Sequence, residues 1–179
     1  YKRKLTSYSA FLAAAAALTD YLETRPIASN LVSRFDRQFL MLEATALSYM
    51  ISSSQHDIDF LMKIVDDLSQ EKYPHDIEGG FIRAERHARK VLSVVKSIED
   101  SIRVGKNLAY VQINSELPSS MVVNFVLGAS GKPVALVYKT KEDINSCIIS
   151  IRGSNECKVH LGRIVNNLSS TLSGSGGGH

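Results

Sequence analysis

Four residues near the end of the chain, Gly176, Gly177, Gly178 and His179, have the composition of an anion cradle. Glycine lacks a Cβ, so its backbone N–H can close on a phosphate, and the adjoining imidazole can add a hydrogen bond or a positive charge. Arg152, followed by Gly153, suits the same task, because a guanidinium held at the exit of a strand pairs bidentately with phosphate oxygens. Two plainer explanations compete: the run 173–179 could be a linker leading to a tag, or the glycines could merely cap a preceding helix.

Other constellations carry less chemistry. Gly128-Ala129-Ser130-Gly131-Lys132 invites a P-loop reading, but no glycine stands five residues ahead of Gly131, Pro133 replaces the magnesium-binding Ser or Thr, and a strand comes next. A helix-to-strand turn accounts for these residues. Cys157 and His160 have a metal-like spacing that Cys147 and His179 could complete, yet there is no CxxC pair and Cys147 alternates within an apolar run as a core residue would. His56, His75 and His87 read as surface residues.

The elements that must position Arg152 and the glycines can be read from periodicity. Residues 5–23 are strong helix formers, with small alanines that permit close packing, and Pro26 marks a break. From Leu31, the residues Val32, Phe35, Phe39, Leu42, Ala46 and Tyr49 step by three or four and predict one amphipathic helix. Ser54 with Asp57 resembles a capping box opening a shorter helix, which Tyr73-Pro74 closes, and Gly79-Gly80 predicts a flexible joint. Residues 81–103 show a seam-like repeat, on which Arg83, Arg86, Arg89 and Lys90 form either a basic surface or a solvated face balanced by Glu85; such a helix would run about 34 Å.

Beyond Gly105 the pattern turns mixed. Leu108 to Ile113, Pro133 to Tyr138 and Cys147 to Ile151 predict strands, Ser119 predicts a helix cap, residues 139–145 a hairpin loop, and Val159 to Leu168 a last amphipathic helix. The fold class is therefore α/β: a helical connector followed by a small mixed-sheet domain with packed helices, whose final strand is expected to be missing.

Composition narrows the class of protein without naming it. At 44% hydrophobic and 22% charged residues, the chain of 179 residues is globular rather than disordered. Residues 1–100 carry 13 basic and 14 acidic side chains and residues 101–179 carry 8 and 4, so attraction for an anion belongs to the second half. Two cysteines form no disulfide framework, and no stretch approaches the roughly 20 apolar residues of a membrane span. A cytoplasmic protein is expected. The chain opens at Tyr1 within a helical pattern and stops at His179, which reads as a piece of a larger protein.

Ile149-Ser150-Ile151-Arg152, a helix containing Leu161-Gly162, and Gly176-Gly177-Gly178-His179 together resemble the DHHA1 substrate-binding domain of the DHH phosphoesterase superfamily. Ala13 to Asp20, Thr24-Arg25-Pro26 and Phe35-Asp36-Arg37-Gln38 are similar to the region after the DHH motif in archaeal RecJ-like exonucleases, relatives of the replication factor Cdc45. The resemblance implies three parts: the tail end of a DHH domain at 1–30, a helical connector at 31–104 and a DHHA1 domain at 105–179. It implies a manganese (or magnesium) dependent hydrolase, with Asp20 as one metal ligand and the others absent from this chain, so that the chain alone is inactive. Arg152, Gly176, Gly177, Gly178 and His179 would bind the phosphate of single-stranded DNA or RNA. Alternatives are a nanoRNase or 3′-phosphoadenosine-5′-phosphate phosphatase branch, and an inactive Cdc45-like scaffold that docks GINS or other replication proteins.

Overall fold

A computed structural model describes residues 6–141 and 146–176. The chain divides into two compact units, residues 1–90 and 91–179. The first is helical: α1 (Ser7–Thr19), α2 (Pro26–Val32), α3 (Arg37–Ser53), α4 (Ile58–Ser69) and the start of α5 (Gly80–Ile98). The second holds the end of α5, then β1 (Arg103–Val104), β2 (Leu108–Gln112), α6 (Ser119–Ser130), β3 (Val134–Lys141), β4 (Ser146–Gly153) and α7 (Leu161–Thr171). Among the described residues no helix is long and apolar enough to cross a membrane.

In the first unit, short polar residues decide where helices begin. Thr6 caps α1 by accepting from the Ser9 N–H at 3.0 Å, and the alanine-rich body of that helix buries Phe11 and Ala14 completely. The single helix expected from Leu31 to Tyr49 is in fact two. Pro26 opens α2 rather than only breaking α1, and Asp36 Oδ1 accepts from the Phe39 N–H at 2.8 Å, which starts α3 afresh. Periodicity alone cannot see this, because the apolar spacing runs through the interruption.

The capping expectation at Ser54 is likewise corrected. Ser54 ends α3, and Asp57 caps α4 by accepting from the Phe60 N–H at 3.1 Å. Gly79-Gly80 is not a loose joint. Gly79 takes φ +76°, and Gly80 presses on α3 so closely that a Cβ would stand 2.7 Å from Met50 Sδ. Beneath α3, Glu43 is buried; it accepts from the His75 backbone N–H at 3.1 Å and pairs with His75 Nδ1 at 2.6 Å. A buried carboxylate needs such partners. His87 is buried too, unlike exposed His56 and His75, because it lies on the packed face of α5.

The second unit is a four-stranded mixed sheet in the order β1-β2-β3-β4. β2 and β3 run parallel, joined by α6, and the other pairs are antiparallel. β1, unforeseen in the sequence, pairs Arg103 with Tyr110. Alternation places Ala109, Val111, Ala135 and Val137 on the buried face, where they meet Val122, Val123 and Val126 of α6. Burying each valine contributes about 1.5–3 kcal/mol before opposing costs. Ile98, Val91 and Val94 from the end of α5 close the same core.

Local expectations change in this unit as well. Ser119 is not the cap of α6, which Pro118 precedes; its hydroxyl instead meets Ser150 of β4 at 2.7 Å. Cys147 is exposed rather than a core residue, because β4 is an edge strand whose first residues are uncovered. β3 extends through Lys141 into the expected hairpin loop, and residues 142–145 of that loop lie outside the described residues. Gly131, in contrast, ends α6 with φ +61°, as expected of a helix-to-strand turn.

Candidate functional site

β4 and α7 are joined by a turn that sets the site. Ser154 N–H donates to Pro133 O at 2.9 Å and Cys157 N–H to Ser154 O at 3.0 Å, so the turn is tied both to itself and to the start of β3. The chain then enters α7 at His160, whose Nδ1 accepts from the Arg163 N–H at 3.3 Å. Leu161, Val165, Leu168 and Leu172 recur at helical spacing along one face of α7. That face, β4 and the first turn of α6 enclose a cleft of about 900 Å³.

Arg152 lines this cleft at the end of β4, opposite Ala135 in the sheet register. No carboxylate pairs with its guanidinium among the described residues. An exposed arginine on a concave wall without an acidic partner is free to take an anion. Ser120, Ser146 and Ser150 offer hydroxyls along the same wall, whereas α7 supplies an apolar one.

The glycine-rich tail reaches the cleft in part. α7 ends with Ser173 at φ +54° and the Gly174 N–H donating to Ser169 O at 2.8 Å, which is a Schellman cap. Gly174, Ser175 and Gly176 line the cleft, and a Cβ on Gly176 would stand 2.8 Å from Val165 Cγ1. Glycine is therefore required for the tail to lie against α7. The remaining expected contacts, Gly177, Gly178 and His179, lie outside the described residues. The structure thus brings Arg152 and Gly176 to one cleft.

Sequence reasoning missed His160 as a cleft residue, having weighed it only with Cys157 as a metal pair. The atoms of that pair serve other partners: Cys157 Sγ–H donates to Val159 O at 3.5 Å, and His160 Nδ1 caps α7. A histidine one residue ahead of a helix, in N-cap position, was the available signal, hidden because the helix was expected to begin at Val159.

Asp20 belongs to the first unit, exposed at the C-cap of α1, whereas the cleft is built within the second. Among the described residues no three His, Cys, Asp or Glu side chains are grouped for a metal ion. Asp20 offers one exposed carboxylate, and a manganese pair would need further oxygen and imidazole donors besides it. The basic surface expected on α5 is partly neutralised as well. Arg83 donates to Asp57 Oδ2 at 2.7 Å and to Ser54 Oγ at 3.3 Å while lying 3.9 Å over the Phe60 ring, and Arg89 donates twice to Glu85 Oε1.

No curated protein and no solved structure matches the chain. Residues 105–179 match the DHHA1 domain, which spans the sheet from β2 onward together with α6, α7 and the tail. The match covers less than half of the chain and is a likeness of its second unit to the DHHA1 domain.

Proposed function

We propose that this chain is the nucleic-acid-binding half of a manganese-dependent, RecJ-like single-strand exonuclease of the DHH kind. Arg152 carries the reading: an unpaired guanidinium, among the described residues, on the wall of a cleft that the glycine tail also lines. In this role Arg152 grips a backbone phosphate and the backbone of Gly174 to Gly176 approaches the strand closely, with no contact that identifies a base. Manganese ligands besides Asp20 are assigned outside the described residues, and the chain by itself orients substrate without cleaving it.

Arg152→Ala tests the reading. Affinity for a fluorescent single-stranded oligonucleotide at low salt is expected to fall by about 1–3 kcal/mol, the worth of a lost charge-assisted contact. The slope of log K against log salt should shrink by about 0.7, one phosphate contact. Unchanged affinity and slope would remove the reading. The pairing of Arg83 and Arg89 favours a second reading, the nanoRNase or phosphoadenosine-phosphatase branch, since it weakens the basic track a long strand would need. A preference for dinucleotides over longer strands in the same titration selects it.

A further inference from the structure

Arg152 and His160 flank the connection from β4 to α7. Gly153 packs tightly against residues 157 and 161: a Cβ there would stand 2.9 Å from Cys157 Cβ and 3.1 Å from Leu161 Cδ1. The end of β4 therefore packs directly under the Cys157 and Leu161 side chains, with no room for a side chain at residue 153. Arg152 and His160 each precede one member of the Gly153–Leu161 contact, and both line the cleft.

The state of the His160 ring is set by its capping role. Nδ1 accepts from the Arg163 N–H, and a ring nitrogen that accepts carries no proton, so the neutral imidazole holds its proton on Nε2. The residue is exposed, and among the described residues Nε2 has no hydrogen-bond partner. It is also the sole ring among the described residues lining the cleft, so no Phe, Tyr or Trp platform competes for the ligand there.

We infer that His160 is a second phosphate-contact residue of this cleft, donating its Nε2–H to an oxygen of the phosphate that Arg152 grips. The inference rests on the phosphate reading of the cleft. A guanidinium offers parallel donors in one plane, which leaves the other phosphoryl oxygens to be met from elsewhere. His160 supplies that donor, and its cap bond to Arg163 holds the ring in the tautomer the task requires. One side chain thus both begins α7 and completes the grip.

The two roles separate by mutation. The full 179-residue chain is titrated with a 5′-phosphorylated, 3′-fluorescent oligothymidylate, and thermal unfolding is measured alongside. His160→Ser keeps a strong N-cap but loses the reaching donor, so the melting temperature should hold while Kd rises about three- to tenfold. His160→Gln keeps an N–H donor of similar reach but not a preferred cap, so the melting temperature should fall while Kd stays within about twofold. Unchanged Kd in His160→Ser, with weaker binding in Arg152→Ala, overturns the role of His160 and leaves the cleft reading standing. Unchanged Kd in both variants overturns both. Equal losses of binding and stability in His160→Ser and His160→Gln overturn the inference too, because the residue would then act only through the fold.

Discussion

Gly153→Ala probes the turn on which the site depends. A Cβ at residue 153 would meet Cys157 Cβ at 2.9 Å, Cys157 Sγ at 3.0 Å and Leu161 Cδ1 at 3.1 Å. Non-bonded carbons prefer about 3.5–4.0 Å, so the methyl intrudes by roughly half an ångström on three neighbours at once. Cys157 cannot retreat freely, because its N–H and Sγ–H are held by Ser154 O and Val159 O. Overpacking of this kind costs about 1–3 kcal/mol. Hydrogen exchange reads the loss locally: the Ser154 and Cys157 amides should exchange about 5- to 150-fold faster, and oligonucleotide affinity should fall with them. Gly128→Ala is the matched control. Nothing lies within 4 Å of a Cβ at that helical position, so the same added methyl should stabilise by up to about 1 kcal/mol. Exchange in Gly153→Ala indistinguishable from the parent chain would refute the claim that the turn has no room.

Two further outcomes test the first unit. Glu71 comes after α4 in a left-handed conformation, φ +61°, within a Schellman cap in which the Lys72 N–H reaches Asp67 O at 3.1 Å; Glu71→Gly should therefore stabilise by about 0.5–1 kcal/mol in urea unfolding, and destabilisation would contradict it. His87 is 7% exposed, its Nε2 has no partner among the described residues, and its ring lies 5.0 Å from that of Tyr49. Burial, then the charge of Lys90, pulls its pKa below the ordinary histidine value. The unfolded chain consequently binds the proton more readily, so the stability associated with neutral His87 is present above pH 6.5 and declines as pH falls below it. Stability measured across that range should lose part of its slope in His87→Phe; parallel curves for the two proteins would rule the effect out.

Much of the second unit was legible because its signals are local. Three of the four strands are β-branched runs between turn residues, and the left-handed cap at Gly131 comes from glycine itself. β1 was not legible, since two residues carry no period and Arg103 and Val104 become a strand only by pairing with Tyr110 and Ala109. In the first unit the apolar steps through 31–49 were real, but the break at Asp36 depends on one side chain turning back to the Phe39 N–H. Of the candidate site, Arg152 and Gly176 were visible as residue types with an obvious use. His160 was not, because its importance comes from where the turn returns.

Residue chemistry alone determined that an arginine and a run of glycines were available for an anion, and that the second half of the chain carried the positive excess. Those are properties of side chains and survive in any conformation. Whether a cation is free is a property of the fold. Tertiary structure placed Asp57 and Phe60 around Arg83 and left Arg152 without a carboxylate partner among the described residues, so similar guanidinium groups acquired opposite roles. Charge is encoded residue by residue and the Arg89–Glu85 pair follows from helical spacing, whereas the neutralisation of Arg83 by Asp57 depends on a distance between residues far apart in the chain, which only packing sets.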